Sequence, residues 1–164
     1  MNKDAKTQLI LPSDQEIRIT RTFDGPRDLV WQMWTTAEHL RHWWGPEGWT
    51  LPVCEMDFRP GGSWFYCMEG PDAMQSCGKA TYLEIEAPQR LVYEDVFVDT
   101  EGTMIPGMPV AHIVLEFVGT GDKTTVISTT RYPTKEDRDT VIDMGVEAGI
   151  DQTMNRLDEY LATF

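Results

Sequence analysis

Between residues 50 and 132 the chain is almost entirely short strand-like segments cut by turn residues, and one extended helical pattern follows it. "TLPVCEMDFR" and "SWFYCMEG" flank Pro60-Gly61-Gly62, and "CGKATYLEIEA" and "RLVYEDVFVD" flank Pro88-Gln89. After the loop "TEGTMIPGMP" come "VAHIVLEFVG" and "KTTVISTTRY", joined through Thr120-Gly121-Asp122. Strands joined by such short turns pair antiparallel. Pro133-Thr134 and "KEDRD" then open a helix pattern running to Phe164, with Val141, Met144 and Ala148, then Ile150, Met154, Leu157 and Leu161, recurring at threes and fours within each run. A sheet with an apolar face and a helix with an apolar stripe bury those surfaces against each other, so the fold class is α+β with the helix on one face of the sheet.

The N-terminal third supplies what covers the sheet's end. "EIRITRTFDG" alternates Ile17, Ile19, Arg21 and Phe23 against Glu16, Arg18, Thr20 and Thr22, the period of a strand with one buried face. Gly25-Pro26 breaks it, "RDLVWQMWT" reads as one short helix, and "TAEHLRHWW" as a second that Gly45-Pro46 ends. Residues 1–15 read as a tail and 16–164 as a single domain, in line with the usual one domain per ~100–200 residues.

Composition excludes several classes of partner. The net charge of −13, dispersed without a block of like charges, disfavours nucleic acid and anionic lipid, both of which are bound mainly through Lys and Arg. No apolar run approaches the ~18 residues needed to cross a bilayer, so no membrane insertion is expected. The N-terminus lacks a signal-peptide pattern. The three cysteines, Cys54, Cys67 and Cys77, form no C-x-x-C pair, and an odd count argues against a disulfide framework. A cytoplasmic location is the expectation. No cofactor is implied: G-x-S-x-G, a phosphate loop and a dinucleotide fingerprint are all missing, and "GTGDK" is a hairpin turn. His39 and His42 have a helical spacing that suits a metal, but no third ligand joins them, so they read as exposed. His112 has the outward parity of its strand.

"RTFDGPRDLVWQMWTTAEHLRHWWGP", "MDFRPGGSW", "APQRLVYEDVFVD", "PGMPV" and "MGVEAGIDQTMNRLDEYL" resemble the START-like (SRPBCC) superfamily, in the branch related to the activator of the Hsp90 ATPase, over residues 16–162. The resemblance implies a helix-grip fold. In it a curved antiparallel sheet of six to seven strands wraps around a long C-terminal helix, with a cavity between them. Two short helices after the first strand cover one end. It further implies a hydrophobic small molecule as partner. A few members are enzymes, and the branch's name raises a chaperone partner. Monomer and homodimer are both open.

Five of the six tryptophans fall between residues 31 and 49. Trp31 and Trp34, three apart, are expected in the core. For Trp43, Trp44 and Trp49 two readings stand, core packing or a pocket wall. Because adjacent helix residues point about 100° apart, Trp43 and Trp44 cannot both face the core seam. The 60–62 hairpin is also ambiguous. An even loop sets Cys54 opposite Cys67, and Phe65 then joins Cys54, Met56 and Phe58 on one face. A cytosolic setting disfavours a disulfide there. A bulge at Gly62 instead groups Cys54, Met56 and Phe58 with Trp64, Tyr66 and Met68. Met56 and Phe58 point inward either way.

Asp95 shares its parity with Leu91, Tyr93 and Phe97, which carries a carboxylate inward as a structural group, a polar ligand anchor or a weak candidate for a general base. Tyr93 offers a ring and a hydroxyl to a pocket, and Glu94 faces solvent. Met104, Ile105 and Met108 form either an adaptable lid or local packing. On the last helix Met144, Ala148, Asp151 and Met154 are expected to face the cavity. Three functions stand: a binding module for an apolar or amphipathic small molecule, an enzyme acting on a hydrophobic substrate in the same cavity, and a chaperone-regulating partner.

Overall fold

The computed structural model describes residues 7–164. Eight strands form one antiparallel sheet: β1 (Gln8–Ile10), β2 (Glu16–Asp24), β3 (Thr50–Met56), β4 (Ser63–Glu69), β5 (Gln75–Glu86), β6 (Arg90–Val98), β7 (Ala111–Thr120) and β8 (Lys123–Arg131). Their spatial order is β1-β2-β8-β7-β6-β5-β4-β3. All neighbours except β2 and β8 are consecutive in sequence, as turn-linked strands require. β2 closes the far side by pairing with β8, Ile17 opposite Thr130 and Arg21 opposite Val126. Residues 8–10, which the sequence presented as tail, pair with β2 as an edge strand, Leu9 opposite Ile19.

Helices α1 (Arg27–Thr35) and α2 (Ala37–Trp43) cap one end of the sheet. Their tryptophans fill the core there: Trp31 and Trp34 meet Phe117 edge-on at 5.1 and 5.5 Å between ring centroids. The main core holds Phe23, Met33, Trp34, Leu40, Trp43, Trp64, Tyr82, Leu91, Leu157 and their neighbours. Each such side chain contributes roughly 1.5–3 kcal/mol by leaving water.

The long C-terminal helix is in fact two. Thr134 caps α3 (Lys135–Asp143), its hydroxyl accepting from the Asp137 N–H at 3.0 Å. Gly145 then takes φ 86°, a left-handed conformation natural only to glycine, and α4 runs from Val146 to Leu161. The apolar stripe reads straight through this break, because periodicity records which side is apolar and not where the backbone turns.

The hairpin between β3 and β4 settles the two-register ambiguity with a third alignment. Cys54 pairs with Tyr66 and Met56 with Trp64. Its parity is that of the bulged alternative, so Cys54, Met56, Phe58, Trp64, Tyr66 and Met68 all belong to the main core. The opposite face carries a small second core of Val53, Phe65, Cys67, Cys77, Val96 and Val98. There Cys67 and Cys77 stand directly opposite on β4 and β5, Cα atoms 4.1 Å apart, and form a disulfide. This corrects the expectation, drawn from the odd cysteine count, that there is no disulfide framework: spacing along the chain did not reveal a cross-strand pair. Cys54 stays free and buried on the other face.

Candidate functional site

An apolar cleft of about 370 Å³ opens between the loop after α2, strands β4 and β6, and the α3–α4 junction. Its walls are Trp44, Pro46, Tyr66, Met68, Phe97, Val146, Ile150 and Met154. Behind it a chamber of about 160 Å³ lies between α4 and the inner faces of β2, β8, β7 and β6, lined by Arg21, Trp34, Tyr93, Ile113, Leu115, Ser128 and Thr130. Trp44, Ile150 and Met154 border both spaces.

The tryptophan loop is held to α4 mainly by Arg156. The guanidinium of Arg156 donates to the carbonyls of Gly45, Pro46 and Trp49 at 2.8, 3.1 and 3.1 Å. The Glu47 N–H adds a bond to Gln152 Oε1 at 3.2 Å. Trp44, released from helical geometry at the end of α2, turns its ring onto Trp64 and Tyr66, at 4.9 and 5.9 Å. Trp43 goes the other way. It is fully buried, and its indole N–H donates to the Met33 carbonyl at 3.1 Å.

Beside the cleft the Tyr66 hydroxyl donates to Asp95 Oδ2 at 2.7 Å. The ring reaches β6 by crossing β5 at Gly78, where any Cβ would collide with it. Burial pushes the Asp95 carboxyl up to about 6, with the Tyr66 hydrogen bond pulling the other way. Burial, then the charge on Asp95, hold the phenols of Tyr66 and Tyr93 well above their ordinary range, so both act as hydrogen-bond donors and not as bases. Asp95 Oδ1 is buried and has no partner among the described residues. The same is true of Arg21 Nε and the Tyr82 hydroxyl.

Residues 24–162 match the family described as Activator of Hsp90 ATPase homolog 1-like protein. The chain belongs to that family. Among solved structures it is similar to a Staphylococcus epidermidis protein, 36% identical over 94% of this chain and 93% of that one, with a TM-score of 0.81. A Mycobacterium smegmatis protein is 28% identical over 97% and 96% of the two chains, with a TM-score of 0.84. A protein from Arthrobacter aurescens is 26% identical over 96% and 92%, with a TM-score of 0.87. No curated protein matches the chain. The START-like helix-grip architecture expected from the sequence is therefore the one this family member has.

Within that architecture the structure divides the residues singled out from the sequence. Trp44, Tyr66, Tyr93 and Met154 line the cleft or chamber, and Met144 sits exposed at the cleft rim. Trp43 is core, and Phe58 packs edge-on against Tyr82 at 4.9 Å. Met56 packs on the core and borders a separate surface cleft with Asp57 and Phe65. Ala148 and Asp151 line a different groove, shared with Thr7, Leu9 and Ile19 on the other side of α4. Met104 bridges to Val98 at the end of β6, and neither it nor Met108 lines the cleft or chamber.

His39 is not free. Its Nδ1 lies 2.7 Å from the Tyr160 hydroxyl, while His42 stacks on that ring at 4.6 Å. His112 faces outward beside Glu94, 3.5 Å away. Arg21, Ser128 and Thr130 were missed. Yet Arg21 carried the same signal as Asp95, a charged residue on the apolar parity of its strand. Among the described residues no helix is long and apolar enough to cross a membrane.

Proposed function

We propose that the protein is a binding module that holds an apolar or amphipathic small molecule in the space between the sheet and α4. The observation that carries this reading is a pair of largely apolar spaces, an open cleft and an inner chamber, that share Trp44, Ile150 and Met154 as walls. Aromatic and methionine walls suit such a guest: rings offer rigid apolar area, and thioethers adapt to its outline. Native mass spectrometry of protein isolated gently from its host tests it. A reproducible small-molecule adduct lost on denaturation supports the reading. An adduct-free mass, together with tryptophan emission unmoved by a panel of apolar compounds, overturns it.

A second reading, an enzyme acting on a substrate in the cleft, is favoured by one observation. Tyr66 and Asp95 form a titratable pair within hydrogen-bond distance, and the carboxyl is held near neutrality. Only Tyr66 of the two lines the cleft, so Asp95 would act through it as a positioning group. Asp95→Asn separates the readings: turnover of an identified compound is lost if the pair is catalytic, and binding persists without any turnover if the protein is a carrier. A chaperone partner would be caught in a pull-down that survives mutation of Trp44, Ile150 and Met154.

A further inference from the structure

Arg21 lies on the inward parity of β2 between Ile19 and Phe23, lines the chamber and is 3% exposed. A guanidinium carries five N–H donors, and burial makes every unpaired one costly. Nη1 donates to Thr7 Oγ1 at 2.9 Å and to Asn155 Oδ1 at 2.8 Å. Nη2 stands 3.5 Å from Asp158 Oδ2, longer than the ~2.7–2.9 Å of a full charge-assisted hydrogen bond. Nε has no acceptor among the described residues. Among the described residues the head of Arg21 is thus held through Nη1 and Nη2, and its Nε donor is left unused.

Polarity along the cavity is one-sided. At the cleft end the hydroxyl of Thr153 already donates to the Gly149 carbonyl at 2.7 Å, and that of Tyr66 to Asp95. The remaining cleft walls are apolar side chains and glycines. The chamber end adds to Arg21 the side chains of Ser128 and Thr130, inward-facing on the neighbouring strand β8.

Resting on the binding reading above, we infer that the guest is a carboxylate amphiphile whose oxygen headgroup accepts from Arg21 Nε in the chamber and whose apolar body runs past Met154 and Trp44 into the cleft. The Asp158 carboxyl makes only a 3.5 Å contact with Nη2 and leaves Nε unengaged. An amine headgroup would meet a cation with an unused donor. An alcohol would accept the hydrogen bond without the charge assistance.

The test uses the full chain with decanoate, decan-1-ol and decylamine, followed by calorimetry and tryptophan emission. Decanoate is expected to bind roughly tenfold or more tightly than decan-1-ol, the worth of one charge-assisted hydrogen bond, with decylamine weakest. Arg21→Met is expected to bring decanoate down to the level of decan-1-ol. Arg21 also holds Asn155 and Asp158, so a second measurement on the unaltered chain guards against a variant that does not fold. The Arg21 Nε–H resonance is expected to move on adding decanoate and to stay in place on adding decylamine. Equal affinity for decanoate and decan-1-ol, or a preference without movement of that resonance, overturns the carboxylate inference and leaves the binding reading standing. Failure of all three probes to bind overturns both.

Discussion

Tyr66 of β4 and Asp95 of β6 are joined by a 2.7 Å hydrogen bond that spans the whole of β5. Small residues on the intervening strand make this reach feasible: Gly78 lies opposite Tyr66, and Ala80 lies opposite Asp95. Burial disfavours the charged carboxylate more strongly than the Tyr66 phenol and the Val96 backbone N–H favour it, which is why the carboxyl is pushed up to about 6.

That imbalance makes Asp95 a pH-dependent cost to stability. Its folded pKa is raised, so between about pH 4 and 6 the folded chain binds more protons than the unfolded one, and stability falls as pH rises through that window. Above it the loss is constant, on the order of 2–3 kcal/mol. Asp95→Asn, which keeps an oxygen for Tyr66 and cannot ionise, is therefore expected to gain on the native chain at pH 7.5 relative to pH 4. Urea denaturation of both proteins at the two pH values measures the difference. An identical gap at both would show that the carboxyl titrates normally.

Arg156 is predicted to set the position of the cleft wall. Its three carbonyl contacts to Gly45, Pro46 and Trp49 are the main tie between the tryptophan loop and α4. Arg156→Met keeps much of the side-chain bulk and removes the donors. Amide exchange across residues 44–49 should accelerate, with a stability loss of about 1–3 kcal/mol. Unchanged exchange would mean that ring packing by Trp44 alone holds the loop.

Trp43 and Trp44, adjacent in sequence, should behave differently. Trp43 is fully buried with a satisfied indole, so Trp43→Ala is expected to cost about 3–5 kcal/mol or to prevent folding. Trp44 is half-buried between the cleft and the chamber, and Trp44→Ala should cost less and change the affinity for any guest. Thermal melts of the two variants decide it, and equal losses would refute the division.

The Cys67–Cys77 bridge predicts a thiol count of one for the folded, unreduced chain, and intact mass should rise by two hydrogens on reduction. A short loop of this kind contributes roughly 2–3 kcal/mol, so denaturation with and without reductant should differ by that amount. Three free thiols before reduction would show that the two cysteines stand opposite each other unbonded.

Much of this was legible in residue order, because strand alternation and helix period are local. The apolar parity of β2 and β6, the turns between β4 and β8, and the cap at Thr134 each depend on a few neighbouring residues. The same parity revealed both inward charges: Asp95 was noticed from the sequence, and Arg21 was equally visible. Where the break was marked by one glycine alone, as at Gly145 between two apolar stretches of one stripe, the helix was read as continuous.

What only the tertiary structure decided are choices between two apolar alternatives. Both faces of the β3–β4 hairpin can enter a core, and both do. The register is set by distant backbone, the Gly61 N–H to the Tyr82 carbonyl at 2.8 Å and the Tyr82 N–H to the Gly62 carbonyl at 3.0 Å. Likewise, nothing local tells Trp43 from Trp44, or Met154 from Ala148 and Asp151. Hydrophobic burial is non-directional, so composition and period determine that a side chain is buried or a helix is covered. Which neighbour it meets, and whether a cavity remains between them, follows from long-range pairing and from volumes that come together only when the sheet has closed around α4.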